Sequence, residues 1–267
     1  MTIMRKTLAL LVSAAAASSA GATAQSRPAG RGSASVPEMS AVWDNQTQGR
    51  CVPNGRNCPF KVEELPLNAR AVAHWLVFDE PIEPKYDCVA ATSPGILQDP
   101  YRMEIQQLPD RVLLHYEKDD VTRTAWMDGR LPKASEYTWQ GHSVGHYDNG
   151  ALIVDTTHFL YDPGGLDDQG GLASSHKKRV TERYWMEADI LHAEVTTEDP
   201  LFLTEPVTFS TVWKRAPRTA KLERFECDPE EASHPLRFMP PKYPAGRAKI
   251  PDVTVGAPEY RGLGEQK

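Results

Sequence analysis

Between Met103 and Cys227 the chain alternates apolar and polar residues with a period of two, in short runs parted by turn residues. That period belongs to strands with one buried face, not to helices. The runs are Met103–Leu108, Arg111–Glu117, Val121–Asp128, His142–Tyr147, Ala151–Phe159, Lys178–Glu187, Ile190–Thr197, Val207–Lys214 and Lys221–Cys227. Pro109-Asp110, Lys118–Asp120 and Asp148-Asn149-Gly150 mark turns, the last a strong hairpin signal. No helix-length pattern intervenes. Nine consecutive antiparallel strands would leave two bare edges unless the sheet closes. The pattern therefore predicts a mostly β fold, a single antiparallel up-and-down barrel or curled half-barrel. Such a barrel fills its interior or holds one small ligand.

The flanks set the domain limits. A short helical stripe begins before the strands: Asn68 can cap it, and Ala69, Val72, Ala73, Trp75, Leu76 and Phe78 share its apolar face. The barrel domain with this helix spans residues 41–228, after a flexible Ser/Ala/Gly/Pro-rich leader over 25–40 and before a Pro-rich extended tail over 229–267. Residues 1–24 read as a secretory signal: Arg5 and Lys6, an apolar stretch Thr7–Ala17, and the small-x-small site Ala22-Thr23-Ala24. The mature chain then begins near Gln25 in the periplasm or outside the cell. Loss of Arg5 and Lys6 takes the net charge from −6 to −8. Thr7–Ala17 is too short to span a bilayer, so no membrane insertion is expected. No basic block marks a nucleic-acid partner.

Cys51, Cys58, Cys88 and Cys227 are an even set in an oxidising compartment, which predicts two disulfides. Of the three pairings, Cys51–Cys58 across a tight loop and Cys88–Cys227 across the domain are preferred. The spacing fits no zinc knuckle, and no H-x-x-x-H or H-E-x-x-H motif occurs on a helix. No metal, nucleotide or other cofactor is implied.

Candidate chemistry lies on two hairpins. A two-residue Asn149-Gly150 turn pairs His146 with Ile153, Val144 with Asp155 and His142 with Thr157. His142, His146, Asp155 and Thr157 then share a face, with Asp155 diagonal to both histidines. A histidine beside a carboxylate is a natural acid–base pair. A one-residue slip would separate them. In the next hairpin Val180, Glu182, Tyr184 and Met186 share a face, where Glu182 is the lone carboxylate among apolar neighbours. It is either functional or held by an inward arginine, Arg123 or Arg224. Asp155 and Glu182 are expected to enter one lumen, as catalytic groups with His142; His146, Tyr184, Arg123, Arg224 and His176 would contact substrate. The Gly-rich stretch 163–171 matches no phosphate loop and reads as a mobile flap over the barrel mouth. Gly141-His142-Ser143-Val144-Gly145 has the G-x-S-x-G spelling, but a hairpin follows it instead of the helix a serine nucleophile needs.

Gly141–Gly145 together with Leu152-Ile153-Val154-Asp155-Thr156 resembles the GHSVG-x-W…LVVDT hallmark of a largely uncharacterised family of exported bacterial proteins. Asp128-Gly129-Arg130, Glu182-Arg183, Asp199-Pro200 and Glu104-Ile105-Gln106 fit as well, over roughly residues 84–230. The chain departs at His146 and Tyr147, where the family has Arg and Trp. The resemblance implies a secreted β-rich domain and brings no activity; strand count alone adds a likeness to lipocalin-type barrels. The residues point to a cofactor-independent periplasmic acid–base enzyme, a lyase, isomerase or hydrolase, on a small organic molecule in the barrel. The alternative is a lipocalin-like carrier without catalysis. Convergent titratable groups would favour the enzyme, and an apolar lumen the carrier.

Overall fold

The computed structural model describes residues 36–46, 65–167 and 171–238. Nine strands close a barrel: β1 (Ala41–Asn45), β2 (Met103–Gln107), β3 (Arg111–Tyr116), β4 (Val121–Trp126), β5 (His142–Asp148), β6 (Ala151–Thr157), β9 (Arg179–Glu187), β10 (Ile190–Glu198) and β11 (Val207–Arg215). Around the barrel they run β1-β11-β10-β9-β6-β5-β4-β3-β2. Two further strands, β7 (Asp162–Asp167) and β8 (Leu172–Ser174), pair with each other apart from it.

The barrel closes differently from the expected meander in two ways. Its ladder is mixed, because β4 and β5 are parallel, with Ala125 opposite Ser143. The chain from Met127 to Gly141 is long enough to carry β5 back to the end where β4 began, which a tight turn cannot do. The closing strand is also β1 in place of Lys221–Cys227. β1 pairs with β2 on one side and β11 on the other, with Trp43 opposite Met103 and Arg215. Lys221–Cys227 joins no ladder; Pro217 follows β11, the Glu223 N–H goes to the Glu117 carboxylate, and Phe225 packs edge-on against Tyr101.

Where the alternation was read, the strands follow it. β3 buries Val112, Leu114 and Tyr116, β10 buries Leu191, Ala193 and Val195, and β9 buries Val180, Glu182 and Tyr184. The β5–β6 turn has Asn149 and Gly150 both at positive φ, 47° and 77°, the backbone of a two-residue hairpin turn. Its register is the expected one, with His146 opposite Ile153 and His142 opposite Thr157. Side chains fill the lumen: Trp43, Trp213, Tyr184, Met103, Ile105 and Leu114 are all fully buried there.

One mouth is covered. Helix α1 (Ala69–Val77), whose Asn68 cap accepts from the Ala71 N–H, lays Ala71, Val72 and Trp75 on Leu166, Leu172, Ala173, Phe202 and Leu203. The described parts of the Gly-rich stretch thus pair and pack as β7 and β8 where a mobile flap was expected, and residues 168–170 lie outside the described residues. Gly171, at φ +65°, leaves the space that the Phe78 ring occupies. Cys88 and Cys227 form a disulfide across 139 residues, with Cα atoms 5.7 Å apart. It ties the segment before β2 to a short helix, α2 (Pro229–Ser233), which starts where an extended tail was expected. Cys51, Cys58, the signal segment and residues 239–267 lie outside the described residues.

Candidate functional site

Among the described residues, two buried polar clusters bear on the chemistry. At the centre of the lumen, β9 turns Glu182 inward and β4 turns Arg123 inward, both essentially without exposure. Arg123 Nη1 lies 2.8 Å from Glu182 Oε1. The Ser93 hydroxyl donates to Oε1 and the Tyr184 hydroxyl to Oε2, each at 2.7 Å. Arg123 also donates to the Tyr116 hydroxyl at 3.2 Å and to Thr156 Oγ1 at 2.9 Å, and Thr156 bonds Ser143. Burial opposes the Arg123 charge, but Glu182 and the two tyrosines outweigh it and hold the guanidinium protonated beyond its ordinary range. Burial, reinforced by the Glu182 charge, pushes Tyr116 up to about 12 and Tyr184 well above its usual value. Both phenols therefore stay protonated, Tyr184 donating to Glu182 and Tyr116 accepting from Arg123. With three donors on its two oxygens, Glu182 is committed to a structural ion pair; Arg123 is its partner and Arg224 is not.

The second cluster sits at the covered mouth. Lys178 opens the same inward row as Val180, Glu182 and Tyr184 and is 1% exposed. Its Nζ donates to Thr92 Oγ1 and to the Gly165 carbonyl, both at 3.0 Å, and lies 4.2 Å from the centre of the Phe159 ring. The Thr92 hydroxyl donates in turn to Asp162 Oδ2 at 3.1 Å, and Asp162 Oδ1 accepts the Gly164 N–H. Burial pulls the Lys178 amine down to about 8, against the attraction of Asp162 and Asp199 and with a smaller push from Arg123. Thr92 and Asp162 line a pocket of about 20 Å³ together with Glu83, Lys85, Ala91 and Gly164. That admits one water or one functional group of a larger molecule. A Cβ on Gly164 would fall inside the Glu83 carboxylate, so this glycine is what lets the two acids share the pocket.

The other expected site residues are outside. On β6, Leu152, Val154 and Thr156 point inward, which turns Asp155 out. It bonds Arg179 at 3.0 Å and Thr181 at 2.7 Å on the outer wall. Asp155 lies opposite Thr181 and Glu182 opposite Val154, so the two carboxylates are on opposite faces of the sheet and share no lumen. His142 is on the outer face too, its Nε2 2.9 Å from the Arg130 carbonyl. His146 and His176 are exposed, His176 edge-on to Tyr137. Arg224 is exposed and pairs with Glu226 at 3.2 Å. The hairpin register was right and the face was wrong: Ile153 and Val144 make the outer face apolar as well, so the pattern did not say which side was in. Of the expected site residues, the structure gathers Glu182, Arg123 and Tyr184. Thr92, Asp162, Glu83 and Lys178 went unread. Lys178 alone carried a signal, since it continues the period-two row of Glu182.

A wider groove of about 780 Å³ follows the outer wall along β1 and the end of β11, lined by Glu38, Glu104, Asp189, Arg215 and Arg218 among others. None of its lining side chains is a buried titratable group, so the chemistry points to the mouth. Among the described residues no group of three or more His, Cys, Asp or Glu side chains could hold a metal, and no helix is long and apolar enough to cross a membrane. Fold and site define a mixed nine-stranded barrel with a polar, capped mouth. No family model and no curated protein matches the chain.

Proposed function

We propose that the protein is an exported, cofactor-independent acid–base enzyme acting on a small organic molecule, with Lys178, Thr92 and Asp162 as its working groups. One observation carries this reading. A buried amine, brought by burial to about 8, is joined through a single hydroxyl to a buried carboxylate beside a pocket. An amine in that range supplies both a base and its conjugate acid near neutral pH, and Thr92 can pass a proton between it and Asp162. Glu83 and the half-buried Lys85 add charge at the pocket for orienting a polar group. The filled lumen leaves little for a lipocalin-like carrier to enclose. Export, with a mature chain from about Gln25, agrees with the Cys88–Cys227 disulfide. Neither a nucleic-acid partner nor membrane insertion is part of the reading.

The test is a screen of small organic molecules by amide NMR, followed by turnover assays on those that bind. Binders should shift Thr92, Gly164 and Gly165. Lys178→Met should lower turnover by roughly 10²–10⁴-fold, as expected for a lost acid–base group. Shifts confined to the outer groove, or full turnover in Lys178→Met, would overturn the reading.

A further inference from the structure

Resting on the acid–base reading of the mouth, we infer that its substrate is a small aldehyde or ketone, captured as an imine on Lys178. The geometry supplies each part such a capture needs. The amine lies on the Phe159 ring, away from water, and its two hydrogen bonds go to Thr92 and to the Gly165 carbonyl. Neither partner is a carboxylate, so no salt bridge pins Nζ directly. The four-carbon stem leaves Nζ one hydroxyl behind the wall of the pocket that Thr92 lines. The charged groups lining the pocket are Glu83, Asp162 and Lys85, with the Lys178 amine one hydroxyl behind them, a set that suits a neutral polar group better than an anion. A carbonyl is the neutral group that a desolvated primary amine captures covalently.

The step balances without an oxidant or reductant. The ammonium first gives a proton to Asp162 through the Thr92 hydroxyl. The neutral amine attacks the carbonyl carbon; the C–N bond forms, and the C=O π pair moves to oxygen. That oxygen collects a proton from the nitrogen by the same relay. A second proton, returned by Asp162, lets it leave as water while the nitrogen lone pair forms C=N. The net change is ammonium plus carbonyl to protonated imine plus water. The groups facing Nζ with charge are Asp162 from β7, Asp199 after β10 and Arg123 from β4.

The experiment uses the full-length mature protein with propionaldehyde and cyanoborohydride at pH 7.5, followed by peptide mass mapping over time. At that pH roughly a quarter of an amine with a value near 8 is neutral, against roughly one in a thousand for an ordinary lysine. A propyl adduct should therefore appear on Lys178 at least about tenfold faster than on its exposed neighbour Lys177. Thr92→Val, which breaks the relay without removing the amine, should slow the adduct. The same sample is titrated by NMR with a carbonyl-free alcohol of equal size. Adducts on exposed lysines only, with Thr92 and Gly164 still shifted by the alcohol, would overturn imine capture and leave the mouth site standing. Neither adduct nor shift would overturn both.

Discussion

Raising the pH from 8 to 10 should stabilise this protein, against the usual trend of folded proteins in alkali. The cause is Lys178. Its amine is near 8 in the fold and near 10.5 once the chain unfolds. Because the folded value is lowered, the unfolded chain binds more protons between the two values, and stability rises with pH across that window. Below pH 8 the buried ammonium costs about 3 kcal/mol, and about 2 kcal/mol of this is recovered between pH 8 and 10. The tyrosines act in the opposite sense and later. Tyr116 and Tyr184 have raised values, so their contribution is intact below pH 10 and lost as pH climbs through the folded value, about 12 for Tyr116. Urea unfolding at half-unit pH steps should show a rise to about pH 10 and then a fall. In Lys178→Met the rise should vanish and the fall remain. A wild-type curve flat or falling between pH 8 and 10 would mean that Lys178 is solvated, and the mouth cluster would lose its basis.

Four further outcomes follow from the two faces of the sheet and from closure. Glu182→Gln leaves Arg123 charged and buried and should cost roughly 3–5 kcal/mol in urea unfolding, whereas Asp155→Asn, on the outer wall, should cost less than about 1 kcal/mol. Equal effects would contradict the assignment of faces. Trp43→Ala empties the inner side of the closing strand and should lose about 3–5 kcal/mol by thermal melting. Removal of the Cys88–Cys227 bridge as a double serine variant should cost about 4–5 kcal/mol, read by urea midpoint. Gly171→Ala meets both a positive φ and the Phe78 ring, and should lower the melting temperature while leaving the barrel's circular dichroism unchanged.

What could be read from residues alone was local. Asn149-Gly150 sets a hairpin turn through its own backbone preferences, and the turn sets the β5–β6 register. The apolar row of β9 says that Glu182 goes inside, where it must be either functional or paired because a lone buried carboxylate is too costly; the fold chose Arg123 as its partner. An even set of cysteines in an oxidising compartment called for disulfides and left three pairings, of which the preferred one contains the Cys88–Cys227 bridge. Three features were decided only by the tertiary fold. A strand apolar on both faces, like β6, does not say which face the barrel encloses, so Asp155 and His142 pointed outward unannounced. Five residues, Ala41–Asn45, are too few to show a period, yet they close the sheet because β2 and β11 both need a partner. Lys178, Thr92, Asp162 and Glu83 come from four separate segments and meet only when the capping hairpin seats on the mouth. No local pattern records that meeting, since the burial that shifts Lys178 exists only after every one of those segments is in place.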